Sequence, residues 1–235
     1  MKRKHTYGEK YNINRVTLIC VISAACLAIM FLIIGVYARF FNDREETQVA
    51  ADIPETNEPE IIEAFLTPNQ YSRPQTPLEQ VNGIVIHYTA NPGSDAMANR
   101  DYFEGLKDKG PESTDPVYAS SHFIIGLDGT IIQCIPLDEI SYASNSRNHD
   151  TIAIECCHPG KSGKFTDETY NSLVKLTAWL CGKYDIRKKG IIRHYDITGK
   201  NCPKYYVKHP RKWRRFKRAV FRYISEEVTA NEENN

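Results

Sequence analysis

No C-x-x-C pair occurs anywhere in this chain, and its seven cysteines are scattered along it. That spacing excludes a structural zinc finger, and the count is too low for a disulfide scaffold. Internal repeats are absent. Net charge is almost absent too, at +1, but its placement is uneven. Both ends of the chain are basic, and an acidic stretch separates the first apolar run from the part expected to fold. Over Val16–Ala38 charge is missing altogether, in a run rich in Ile, Leu, Val, Ala and Phe.

About 20 apolar residues span a bilayer core as a helix, so residues 16–38 are expected to form a transmembrane signal anchor. A buried core helix of that length without a polar face is unusual. A cleaved signal peptide is the nearer competitor, because Val36-Tyr37-Ala38 carries small residues at a cleavage-like site. The run is longer than such segments usually are, which favours an uncleaved anchor. Residues 1–15 hold Lys2, Arg3, Lys4, Lys10 and Arg15 against Glu9 alone, and Asp43, Glu45 and Glu46 follow the run. This asymmetry predicts a cytoplasmic N-terminus in the cell membrane and an extracytoplasmic remainder. Residues 39–75, with five further acids and prolines at 54, 59, 68 and 74, read as an extended linker. Within it, Pro59–Leu66 is compatible with a helical turn docked on the domain.

The folded domain is expected over 76–225. Gly83–Thr89 is a β-branched run whose alternation puts Val85, His87 and Thr89 on one face. His87 then stands near a strand's C-terminal end, where α/β folds place their chemistry. Ala96–Lys107 reads as an amphipathic helix bearing Met97, Tyr102, Phe103 and Leu106. His122–Leu127 and Thr130–Ile135 flank Asp128-Gly129, a strong hairpin signal. Thr151–Cys157 is a strand with Glu155 and Ala153 facing one way, Ile152 and Ile154 the other. Thr166 caps a helix reaching about Tyr184, and Ile191–His194 is a short strand. Pro210 opens a last helix with Trp213, Phe216, Val220 and Ile224 inward, and 226–235 read as a disordered tail.

The chemistry concentrates in Ile191–Pro203, where His194, Asp196, Lys200 and Cys202 fall close together. His and Cys suit Zn²⁺, and a lysine beside them can stabilise developing negative charge. A catalytic zinc needs a third protein ligand and an open position. His87 can supply it if its strand neighbours that of His194, but spacing alone leaves His122, His149, His158 and His209 equally eligible.

Four ordered segments, IVIHYT, SHFIIGLDGTIIQCIP, TIAIE and RHYDITGKNCP, resemble the zinc-dependent N-acetylmuramoyl-L-alanine amidases of the peptidoglycan-recognition type. The resemblance covers about residues 77–215. It implies an α/β fold, a central mixed β-sheet packed by helices, with the metal in a surface groove. It implies His87, His194 and Cys202 as zinc ligands, a third position that some members fill with Asp. Lys200 matches a lysine that stabilises the tetrahedral intermediate, and Glu155 a carboxylate that acts as general base in one branch. Other members carry a catalytic Tyr directly before the HF of the hairpin strand, where this chain has Ser121. The chain thus resembles the branch that relies on Glu and Lys. The implied reaction is hydrolysis of the amide between N-acetylmuramic acid and L-alanine in peptidoglycan; a membrane-tethered, non-hydrolytic peptidoglycan binder is the alternative.

Asp196 is expected either to orient a ligand or to hold its own turn, and Asn148 to contact glycan or close its loop. In an exported domain Cys134, Cys156, Cys157 and Cys181 offer a disulfide, for instance from 156 or 157 to 181, against free buried thiols. The last helix carries seven Arg and Lys between 211 and 222. These form either a solvated face or a contact to an anionic wall polymer or phospholipid headgroups. Nucleic acid is not an expected partner.

Overall fold

A computed structural model describes residues 30–35, 52–109 and 112–233. The expected cytoplasmic tail and most of the expected membrane segment lie outside the described residues; residues 30–35 are helical. None of the described helices is long and apolar enough to cross a membrane. The described residues from 52 to 233 form one compact unit.

Six strands build one mixed sheet: β1 (Ile62–Glu63), β2 (Gly83–Ile86), β3 (Phe123–Ile125), β4 (Ile131–Gln133), β5 (Thr151–Cys156) and β6 (Ile191–Arg193), in the order β1-β4-β3-β5-β2-β6. Only the β3–β4 pair is antiparallel, joined by the expected Asp128-Gly129 turn with Gly129 at φ +87°. The inner strands are apolar on both sides because both sheet faces are covered. Residues Ile84, Ile86, Ile152 and Ile154 meet α3 (Asp167–Lys183) and α6 (Pro210–Glu233) in the larger core. Ile124, Ile132, Cys134 and Cys157 meet α1 (Ala96–Glu104), α2 (Leu106–Lys109) and Leu66 in the smaller one. Two short helices, α4 (His194–Thr198) and α5 (Lys204–Lys208), link β6 to α6.

The helix ends follow the local chemistry of the sequence. Thr166 caps α3 by accepting the Thr169 N–H at 3.0 Å. In α6 the buried residues are Trp213, Phe216, Val220 and Ile224, the expected stripe. In α1, by contrast, Ala96, Asn99 and Phe103 face inward, and Met97 and Tyr102 are exposed. The helix is rotated so that Tyr102 lines a cleft.

Three expectations are corrected. Residues 52–75 are not a linker: Leu66 is fully buried, and the N–H groups of Ala64 and Leu66 donate to Gln133 and Cys134 carbonyls at 2.9 and 2.8 Å. Within this segment, 62–63 is a strand rather than a helical turn. Acids and prolines do favour extension, but an edge strand is also extended, and Arg73 locks the segment through a bidentate pair with Glu139 at 2.7 and 2.8 Å. Residues 226–233 are not a disordered tail but the end of α6, where Glu227 accepts the Tyr223 hydroxyl at 2.9 Å and the Asn57 amide at 3.0 Å. Of the two readings left open for the cysteines, free buried thiols is the one observed: Cys134, Cys156, Cys157 and Cys181 are free and buried, the first and third packed in the smaller core, the other two in the larger.

Candidate metal centre

His87 continues β2 by one residue, its N–H donating to Ile154 O at 2.8 Å. Because β6 lies beside β2, the chain leaving β6 places His194, first residue of α4, next to His87, with ring centroids 4.8 Å apart. Gly199 ends α4 at φ +76°, a left-handed position that glycine adopts without strain. The chain then doubles back, and Tyr195 N–H donates to Cys202 O at 2.9 Å. This return puts Cys202 Sγ 3.8 Å from His87 Nδ1. One donor atom from each of His87, His194 and Cys202 lies within 4.8 Å of the others, and all three residues are buried.

The remaining ring nitrogens are taken by one turn, residues 144–148. Asn145 Oδ1 accepts from His194 Nε2 at 2.8 Å, and Ser144 Oγ stands 3.5 Å from His87 Nε2. Asn148 Oδ1 accepts the Ser144 N–H at 2.6 Å and so shapes the turn. With Nε2 occupied on both rings, Nδ1 is the nitrogen left to ligate. Sequence reasoning missed Ser144 and Asn145. Their one local signal is Asn145 at φ +52°, in the left-handed region that asparagine tolerates better than most residues.

The other histidines do different work. His122 is buried between Glu139 O at 2.9 Å and the Ala153 N–H at 3.0 Å, a role within the sheet. His158 Nδ1 bonds Gly160 O at 2.8 Å, His209 packs on Tyr205, and the His149 ring lies in solvent. Ser121 is also buried, its hydroxyl shared between Phe123 O and Ala153 O at 3.0 and 2.9 Å. It holds neighbouring strands and does not reach the cleft. Asp196 pairs with Arg193 at 2.6 Å and accepts the Arg193 N–H at 2.9 Å. It therefore fixes the start of α4, on which His194 sits, rather than lining the cleft.

The cleft over these three side chains has a volume of about 550 Å³ and includes Glu155, Lys200, Asn148, Tyr118 and Tyr142. Burial drives His87, His194, Cys202 and Glu155 toward neutrality. His87 is held well below the ordinary imidazole range by burial and then by His194 and Lys200. His194 is lowered by burial and Lys200. Burial, followed by the Glu155 charge, pushes the Cys202 thiol up to about 12. Glu155 rises to about 7 through burial, against the opposing pull of Lys200. Its Oε2 is buried without a hydrogen-bond partner, and so is Thr89 Oγ1 in the same cleft.

This donor set fits a zinc ion. Two neutral imidazoles already present lone pairs, and a thiol of that kind ionises when a divalent cation supplies the compensating charge. Tetrahedral zinc brings ligand atoms to about 3.3–3.8 Å of one another, so the 3.8 Å S–N spacing already matches and a small side-chain rotation closes the rest. An ionised Cys202 and an ionised Glu155 would otherwise face Lys200 alone.

A family profile described as N-acetylmuramoyl-L-alanine amidase matches residues 77–205. Among curated proteins, N-acetylmuramoyl-L-alanine amidase CwlL of Bacillus licheniformis is 33% identical over 176 residues, covering 68% of this chain and 46% of the relative. A probable N-acetylmuramoyl-L-alanine amidase of the same organism is 32% identical over 172 residues, covering 68% and 47%. This chain thus spans about half the length of the curated relatives it matches. Among solved structures, the catalytic domain of XlyA superposes with a TM-score of 0.55 at 25% identity, covering 68% of this chain and 99% of that one. PlyL gives 0.56 at 24%, covering 68% and 96%, a likeness of fold.

Proposed function

We propose, for a chain that belongs to the N-acetylmuramoyl-L-alanine amidase family, that it hydrolyses the amide joining N-acetylmuramic acid to L-alanine in peptidoglycan, with zinc held by His87, His194 and Cys202. The observation that carries the reading is the buried, unpartnered Glu155 Oε2 in the same cleft as a three-residue metal set with both histidines neutral. Zinc bound there would supply Lewis acidity, activating water and polarising the scissile carbonyl.

The protein's own groups divide the remaining work. Glu155, poised near neutrality, takes a proton from the attacking water and returns it to the leaving amine. Lys200 lies on the cleft wall and faces the oxygen on which negative charge develops. Asn145 and Ser144 keep both rings turned so that Nδ1 points inward. Tyr118 and Tyr142, in edge contact at 5.8 Å, form an apolar wall on which sugar or peptide can lie.

Residues 16–38 are read as a signal anchor from their charge-free apolar sequence. That reading puts the domain outside the cell membrane, next to its substrate.

The test is product analysis on defined muropeptides with and without a chelator. Release of free stem peptides beginning with L-alanine, abolished by chelation and restored by zinc, is the expected result. New reducing sugars instead would refute the assignment. Binding of muropeptides with no product would leave a non-hydrolytic binder.

A further inference from the structure

Between α3, α5 and α6, sharing no lining residue with the metal cleft, lies a groove of about 920 Å³. Its walls include Lys164, Tyr170, Tyr205, Lys212, Arg215 and Arg222, and Asp167 is the one acid among its described lining residues. The stripe Trp213, Phe216, Val220 and Ile224 commits the opposite side of α6 to the core. Arg211, Arg215, Arg218 and Arg222 then follow at i, i+4, i+7 and i+11, one cation per helical turn over about 16 Å.

A solvated charged face normally carries both signs, with i,i+4 pairs that offset one another. Here, among the described residues, Arg222 has a partner in Glu226, at 3.6 Å, whereas Lys164, Lys212 and Arg215 have no acid within ion-pairing distance. Lys217, by contrast, is used internally, donating to Lys188 O at 2.9 Å. Tyr170, packed edge-on against Phe216 at 6.1 Å, and Tyr205, stacked beside His209 at 4.5 Å, give the groove an aromatic floor between its cations.

From this arrangement we infer that the groove between α3, α5 and α6 binds a linear anionic polymer with one phosphodiester per repeat. Charge complementarity identifies the sign of the partner, and the regular turn-by-turn spacing suits charges repeated along a strand. The concave shape decides between a strand and a membrane. A flexible chain can lie between Lys164 and Arg215, whereas a planar headgroup layer would meet only the exposed crest of α6. Because the groove and the cleft share no lining residue, a bound polymer leaves the cleft open. The groove would hold the domain against a polyanion-bearing wall while the cleft works on peptidoglycan. This inference does not depend on the amidase reading.

The test measures binding of the purified full-length protein to poly(glycerol phosphate) at several salt concentrations. Wild type is compared with Arg215→Gln/Arg222→Gln and with Lys175→Gln/Lys189→Gln, which removes two exposed cations outside the groove. The arginine pair should weaken binding about 10–30-fold at low salt and reduce the slope of log K against log salt by about 1.4. The lysine pair should change it less than twofold. Equal effects of the two pairs would show a non-specific charge response and overturn the inference. Flotation with phosphatidylglycerol vesicles forms a second arm, in which any N-terminal insertion contributes equally to wild type and variant. If the arginine pair lowers vesicle binding as much as polymer binding, the ligand is a lipid surface and the assignment to a linear polymer fails.

Discussion

Substituting Glu155 by Gln should stabilise the metal-free protein while removing its activity. Glu155 sits in β5 with Oε2 buried and unpartnered, and its folded pKa is raised from 4.5 to about 7 by burial. A carboxyl whose folded pKa lies above its unfolded value is favoured by the fold in its protonated form. The penalty for ionising it is therefore absent below about pH 4, grows between 4.5 and 7, and levels off above 7. A displacement of that size corresponds to about 3 kcal/mol once ionisation is complete. Solvent in the cleft and the poorly partnered Gln amide reduce the gain to about 2 kcal/mol. For a domain of this size, that raises Tm by about 4–8 °C. The assay is thermal unfolding in chelator at pH 4.5 and pH 8, wild type against variant. A gain at pH 8 that vanishes at pH 4.5 is expected, together with a fall in hydrolysis of about 10²-fold or more in the zinc-loaded variant. A Tm difference that does not change with pH would refute the account of Glu155 as a buried charge. Full activity would remove it from the mechanism.

Asn145→Gly relieves the backbone at φ +52° but deletes the acceptor for His194 Nε2; zinc affinity measured by chelator competition should fall about 10–100-fold with apo stability little changed. Asn145→Asp, which keeps the acceptor, should retain zinc. Leu66→Ala should cost about 2–5 kcal/mol in denaturant unfolding, since that side chain is fully buried in the smaller core; a cost below about 0.5 kcal/mol would mean that residues 52–75 do not belong to the fold. Cys202→Asp should alter proton release on zinc uptake. At pH 8.5 wild type, with its thiol at about 12, should release about one proton more per zinc than the variant, read with an indicator dye in weak buffer.

The parts of the fold that were legible in the sequence are those set by local chemistry. Thr166 and Pro210 mark where α3 and α6 begin, the 3.6-residue stripe through Trp213 and Ile224 gives the inward side of α6, and Asp128-Gly129 fixes the hairpin. The metal set was legible only in part. Cys202 and His194 are eight residues apart, but His87 joins them through a parallel pairing of β2 with β6 that no local pattern encodes. The resemblance of four ordered segments, rather than spacing, singled out His87 from the other histidines. Asn145 lies 49 positions from His194, and its role depends on a turn whose direction is set by the whole 144–148 loop. Residues 52–75 were misread because proline and acid report extension without saying whether the extended chain is free or paired.

The protonation states of the centre would change with any metal bound there. With His87 and His194 neutral, Cys202 a thiol and Glu155 near its midpoint at pH 7, the empty floor of the cleft carries little charge beside that of Lys200. Burial alone produces this, because each ionisation there would leave a charge with too few partners. A divalent ion held by His87, His194 and Cys202 would reverse the balance: it would favour the thiolate and lower the pKa of Glu155, with the imidazoles already neutral. The base is then ionised over a wider pH range in the loaded protein than in the empty one. The acidic limb of the rate profile should consequently fall below pH 7, although the empty protein titrates there, and the displacement between the two measures how strongly zinc and Glu155 are coupled.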